Sequence, residues 1–163
     1  MHEFEIGGLR YGDAKRANAE NAIGDARTFE ERDVMLCDFT REPGTSFKYM
    51  YDFGDNWIHT VRLEKRVALD LPPKVATCVE GARARPPEDV GGTSGYERFL
   101  DALGDPEHED HRDMQRWCGG HFDPAWFDLA LVNKDLALAF KKNVRRRPHQ
   151  PRPTRQPKSG MVH

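Results

Sequence analysis

From Phe47 to Leu63 the chain alternates. Odd positions from Phe47 to Phe53 and again from Trp57 to Leu63 are apolar or aromatic except for His59, while the even positions are mostly polar or charged. A period of two predicts two strands, each with one buried face. Gly54-Asp55-Asn56 between them supplies turn residues, so the simplest structure is an antiparallel hairpin with its odd-numbered aromatics in the core. Phe4 to Tyr11 alternates on either side of Gly7-Gly8 and reads as a second, shorter hairpin. Residues 12–30 are polar with weak periodicity and read as a loop with a helical turn. Val34 to Phe39 reads as a strand leading into a helical turn that Glu42-Pro43-Gly44 ends. Arg66 to Leu71 reads as a further extended piece stopped by Pro72-Pro73.

The period then changes. Residues 76–95 mix prolines and glycines with charged residues, and a connection of that length inside a compact domain is usually functional or wraps a surface. Ser94-Gly95-Tyr96-Glu97 fits a capping box, and Tyr96, Phe99, Leu100 and Leu103 follow at helical spacing. Gly104 and Pro106 end that helix. A second helix is predicted over about Glu107 to Cys118, with Met114 and Trp117 inward and Gly119-Gly120 as its stop. Asp123-Pro124 predicts a third, with Phe127, Ala130 and Leu131 on one face, and Asn133 or Lys134 to about Lys142 a short fourth. The expected fold is α+β: an antiparallel sheet built from hairpins, with three to four C-terminal helices packed on it. The domain is expected to span residues 1–141, and the Pro- and Arg-rich remainder, 142–163, is too poor in apolar residues to fold and reads as a disordered tail.

Composition sharpens this picture mainly through charge. The formal net charge of -2 hides an asymmetry: residues 141–163 hold eight Lys or Arg and no acid, leaving 17 basic against 27 acidic groups in the rest. An acidic body thus carries a basic tail, whose Arg145, Arg146 and Arg147 could meet phosphates only weakly and without reading sequence. Cys37, Cys78 and Cys118 are odd in number and widely spaced, which argues against a disulfide framework or a zinc ribbon. No run approaches the roughly 20 apolar residues of a membrane span and no signal-peptide pattern opens the chain, so the expected compartment is the cytoplasm.

Candidate chemistry is sparse. Asp52, Asp55 and His59 flank the hairpin turn and could bind a divalent metal or act as acid and base, although turn aspartates are common and the structural reading is favoured. Arg85, Glu88 and Asp89 sit just before a helix N-terminus with Tyr96 following; they either shape a binding pocket or pair locally and complement the helix dipole. His108 and His111 lie three apart and Cys118-Gly-Gly-His121 follows, yet the spacing matches no standard zinc module and a solvated face is favoured.

Several motifs in order carry a resemblance: YDFGDNWIH (Tyr51 to His59), Cys78 and Gly81 leading into RPPEDVGGTSGY (Arg85 to Tyr96), DPEHEDH (Asp105 to His111), WCGGHFDP (Trp117 to Pro124) and Phe127-Asp128. Together these resemble the plasmid pRiA4b ORF-3-like family over roughly residues 1–140. The resemblance implies an α+β fold shared by bacterial, archaeal and plasmid-borne proteins, some labelled as resolvases. It also implies a strand and helix upstream of His2-Glu3-Phe4, so the chain reads as a fragment or as having a misassigned start. Val90 stands where the family often has cysteine, which weakens any metal or redox role shared with Cys78. Serine-resolvase chemistry is disfavoured, because Ser46, Ser94 and Ser159 fall at a strand start, a helix cap and the tail. Two functional readings follow: a non-enzymatic module binding a protein partner through the aromatic hairpin and the Pro-Pro-Glu-Asp loop, or a metal-dependent hydrolase using Asp52, Asp55, His59, Glu88 and Asp89. They part on whether those side chains converge.

Overall fold

The computed structural model describes residues 1–15, 27–71 and 75–139. Pro72-Pro73, Phe140 with the end of the last predicted helix, and the basic tail with Arg145, Arg146 and Arg147 lie outside the described residues. The chain divides into two compact units, one of Met1–Pro72 with Asp89–Tyr96, the other of Pro73–Glu88 with Glu97–His163.

The first unit is built on a mixed sheet of five strands: β1 (His2–Ile6), β2 (Leu9–Gly12), β3 (Thr28–Glu30), β4 (Ser46–Tyr51) and β5 (Trp57–Arg62). Their order is β3-β2-β1-β4-β5. Both expected hairpins are present, β1 with β2 and β4 with β5, all antiparallel. Gly7 and Gly8 make the first turn at φ of +59° and +81°, the double left-handed geometry whose twist suits a two-residue hairpin loop. The hairpins join through an antiparallel β1–β4 pair. The sheet is nevertheless not built from hairpins alone, because β3 adds in parallel beside β2. This strand arises within residues 12–30, where the sequence suggests a loop: three residues are too few for alternation to register.

Two other expectations are corrected. Val34 starts no strand: a 3-10 turn, Glu31–Asp33, precedes it, and the expected helical turn is present as a short helix α1, Leu36–Phe39, with Asp38 Oδ2 accepting from the Met35 N–H at 3.2 Å. Arg66 to Leu71 joins no strand despite its alternation, and Val67, Leu69 and Leu71 are exposed.

Register sorts the sheet's faces by chemistry. Phe29, Tyr11, Phe4, Tyr49 and His59 pair in succession across all five strands, a single rung of ring side chains. The rung on the other face runs Thr28, Arg10, Glu5, Lys48, Thr60. Every Lys, Arg and Glu of the five strands falls on this second face, where Lys48 reaches Glu5 at 3.4 Å and Thr28, 1% exposed, donates to Glu3 at 3.0 Å. Such surface ion pairs contribute little stability. The core therefore belongs to the ring face: Ile6, Tyr11 and Phe47 are buried there, with Phe4, Val34 and Phe39 packed against them. Phe39 of α1 meets Tyr11 with ring centroids 5.2 Å apart. The cover ends there. Of the hairpin's odd-numbered residues only Phe47 is fully buried; Tyr49 and Trp57 are half-buried, and Tyr51, Phe53, His59 and Val61 are exposed, so the expectation that they all form core is corrected.

Helices α2 (Gly92–Gly104), α3 (His111–Trp117) and α4 (Leu129–Ala139) complete the fold. Helix α2 starts two residues before Ser94, which lies inside it rather than capping it. Phe99 is its anchor in the second unit, edge-on to Trp117 and Phe122 at centroid distances of 5.6 and 5.1 Å. Helix α3 is shorter than the predicted acidic helix, because residues 107–110 form turns. The third and fourth predicted helices are in fact one. Asp123 caps only a turn, accepting from the Ala125 N–H at 2.9 Å, whereas Asp128 caps α4, accepting from the Leu131 N–H at 2.9 Å.

The long loop before α2 is held by three contacts within the second unit. Asn133 clasps the backbone of Cys78, accepting from its N–H at 2.8 Å and donating to its carbonyl at 2.9 Å. Gly81 lies so close to the Phe127 ring that a Cβ would overlap it, and the Ala84 N–H donates to the Pro124 carbonyl at 3.1 Å. Asn133→Ala is expected to cost about 1–3 kcal/mol by leaving two backbone groups without this partner. It should also accelerate alkylation of Cys78, read by mass spectrometry against Cys118 as the internal reference.

Candidate functional site

The β4–β5 turn is tightly organised by its own polar groups. Asp52 and Asn56 hold left-handed conformations, φ +54° and +55°. Asp52 Oδ1 accepts from the Gly54 N–H at 3.0 Å, and the Asp52 N–H donates to the Met1 carbonyl at 2.8 Å. Asp55 reaches the loop before α2: its Oδ2 accepts from the Gly91 N–H at 3.3 Å. There the backbone itself is in contact, since a Cβ on Gly92, at φ +68°, would overlap the Asp55 carbonyl oxygen. Asp89, Gly91 and Gly92 all have positive φ, so this approach is bought with a run of left-handed backbone.

The predicted site residues divide accordingly. Asp55 meets the loop through Gly91, but Asp52 is engaged inside its own turn. His59 Nδ1 donates to the Tyr49 carbonyl at 3.3 Å across the ladder, and the ring is exposed. Arg85 and Glu88 pair locally at 3.4 Å, both well exposed. Asp89 is exposed and Tyr96 half-buried. His108 Nδ1 accepts from the Asp110 N–H at 3.1 Å, and His111 Nδ1 donates to the Ala102 carbonyl at 2.8 Å, so both imidazoles have local structural partners. Among the described residues, no three His, Cys, Asp or Glu side chains are grouped so as to hold a metal ion.

What sequence reading missed is the open end of the ring face. His2 Nε2 donates to Glu31 Oε2 at 2.9 Å, and its ring lies 5.9 Å from that of Tyr49, which in turn lies 5.7 Å from His59. Tyr51 pairs with His2 on one side and Trp57 on the other. The signal was present, because His2 shares the period of Phe4 and Ile6. Glu31 could not be placed from sequence, since it arrives by way of β3. Burial, Tyr51 and the Glu31 carboxylate, in that order, push the Tyr49 phenol above its ordinary value. The unfolded chain ionises first as pH rises past about 10, so the stability linked to Tyr49 is full below that pH and is lost as pH climbs through the native value. Tyr49→Phe should flatten this alkaline loss, measured as urea midpoints against pH.

This end gathers rings, two imidazoles and a carboxylate on a surface from which the strands' lysines and arginines are excluded. The family model described as plasmid pRiA4b ORF-3-like protein matches residues 1–131. The chain belongs to that family. This pRiA4b ORF-3-like chain is 39% identical over 127 residues to an uncharacterized protein, y4hQ, of Sinorhizobium fredii, a match covering 72% of the chain and 63% of the relative. The chain thus spans less than two thirds of that relative's length. It is also similar to the crystal structure of a protein of unknown function from Methanosarcina mazei Go1, with 36% identity and a TM-score of 0.60 over 83% of this chain and 72% of that one. The Methanosarcina structure shares the fold of this pRiA4b ORF-3-like chain, and neither relative's name carries a reaction. Among the described residues, no helix is long and apolar enough to cross a membrane.

Proposed function

We propose that this pRiA4b ORF-3-like chain is a non-enzymatic binding module, and that its partner surface is the open end of the ring face, formed by His2, Tyr49, Tyr51, Trp57 and His59. The observation that carries this reading is the exposure of Tyr51 and His59 beside half-buried Tyr49 and Trp57, on a face free of strand Lys, Arg and Glu. Large rings give contact area at small entropic cost, and their enrichment distinguishes interfaces from ordinary surface. A peptide partner offering a cation or a flat side chain would use both the ring faces and Glu31.

The hydrolase alternative needs its carboxylates and His59 to converge, and the separate partners of Asp52, Asp55, His59 and Glu88 speak against that arrangement. Selection of displayed peptides on the immobilised full chain tests the module. Enrichment that disappears with the Tyr51→Ala/His59→Ala double variant supports it, and enrichment indifferent to that variant removes the proposed surface. A divalent-ion thermal-shift series on metal-free protein tests the alternative: unchanged melting is expected, and a saturable rise with one bound metal would favour the hydrolase.

A further inference from the structure

The five-stranded sheet has two edges, and they are not alike. The β3 edge is three residues long and ends in Glu30, with Glu31 and Arg32 following. Shortness and charge are the usual protections of an exposed edge. The β5 edge is longer and carries its one full charge, Arg62, only at its end. It runs six residues, Trp57-Ile-His-Thr-Val-Arg62, with no proline, glycine or lysine, and five of the six are exposed. Ile58 is 55% and Val61 40% exposed, so neither its polar nor its ring face is covered at this margin.

The ladder determines which groups face outward. Leu63 is turned toward β4, its N–H donating to the Thr45 carbonyl at 2.9 Å and its carbonyl accepting from the Gly44 N–H at 2.7 Å. In an antiparallel ladder this direction alternates, so Val61, His59 and Trp57 bond inward, while Ile58, Thr60 and Arg62 point their N–H and C=O groups away from the sheet. Among the described residues, no backbone bond is seen from these three to another strand.

We propose that two copies of this chain associate through their β5 edges, antiparallel about a two-fold axis at Thr60. The sequence of the edge is self-complementary in that register. Thr60 faces Thr60 of the second copy, and Ile58 faces Arg62, so the outward groups of all three residues are matched with one another. On the ring face His59 meets Val61 and Trp57 meets Leu63, extending the apolar surface across the junction. No like charges stand opposite each other, and the Arg62 stem covers the exposed Ile58 of its partner strand. An axis at Arg62 would instead oppose two guanidinium groups. A symmetric pair of this kind is isologous and closed, so it stops at two copies. The inference uses the sheet's edge and stands independently of what the ring face binds.

Sedimentation equilibrium of the full chain over a concentration series tests it, with Thr60→Glu and Thr60→Cys as the informative variants. Thr60→Glu places like charges across the axis yet gains Lys48 as a cross-strand neighbour within its own chain, so folding is retained. Its dimer dissociation constant should rise at least about tenfold, equivalent to ~1.4 kcal/mol. Thr60→Cys should form a covalent dimer under mild oxidation well ahead of the unsubstituted chain, because directly paired Cα atoms lie about 5.5 Å apart, within disulfide reach. A monomer at every concentration, a dimer indifferent to Thr60→Glu, or Thr60→Cys linking no faster than the unsubstituted chain would each overturn the proposal. So would a β5 edge that pairs with added peptides while the chain stays monomeric.

Discussion

Phe99→Ala is expected to cost about 3–5 kcal/mol, the range for deleting a buried phenylalanine and leaving its cavity. Phe99 is 2% exposed and is met edge-on by Trp117 and Phe122, so the loss includes two ring contacts beyond the buried area. Near-UV circular dichroism is the appropriate probe, because Trp117 owes part of its fixed orientation to this ring. The melting temperature should fall by roughly 10 °C or more, with the aromatic signal weakened even before the transition. Phe99→Leu keeps most of the volume and should lose far less. A loss below about 1 kcal/mol for the alanine variant would mean that α2 is not anchored through this residue.

Gly92→Ala is the second large effect, and its cause is different. Alanine at φ +68° is itself strained, and its Cβ would overlap the Asp55 carbonyl oxygen, a backbone atom that cannot rotate away. Strain of this kind and overpacking each cost on the order of 1–3 kcal/mol, so about 3 kcal/mol or more is expected for both. Two controls separate the terms. Gly44→Ala, at φ +93° in open space, should lose only the conformational part, and Gly104→Ala, in open space without a positive φ, should be neutral or slightly stabilising. Asp55→Ala removes one long hydrogen bond and should cost less than Gly92→Ala. Equal losses would place the importance of this junction in the carboxylate rather than in the backbone. Equilibrium urea unfolding of the four variants supplies the comparison.

The legible parts of the fold were those where one local pattern decides. Period two gave both hairpins, and the Gly7-Gly8 turn sat where alternation placed it. The third strand was invisible because Thr28–Glu30 is defined by its parallel neighbour β2 and not by its own residues. Conversely, Arg66 to Leu71 alternates convincingly, yet alternation states which side of a strand is apolar and does not supply a strand to pair with. Ser94-x-x-Glu97 satisfied a capping pattern, but the helix begins two residues sooner, at Gly92, where the backbone lies against Asp55. Asp123-Pro124 was equally plausible as a cap, and Asp128 holds that role. At the candidate site, Asp55 could be connected with the glycine-rich loop only once the fold was known. His2 and Glu31, from strand β1 and the residues after β3, gather beside Tyr49 and illustrate the same limit.

The segregation of rings and charges onto opposite faces of the sheet also bears on how the strands find one another. Sliding β4 by one residue past β1 would carry Lys48 into the ring face and turn Phe47 toward Glu5 and Arg10, since every side chain changes face together. A misaligned hairpin pair would therefore bury a cation without a partner and expose the residue that closes the core. The five-ring rung thus works as an alignment key: it makes off-register encounters between the two hairpins short-lived and leaves the observed pairing as the one in which both faces are chemically consistent.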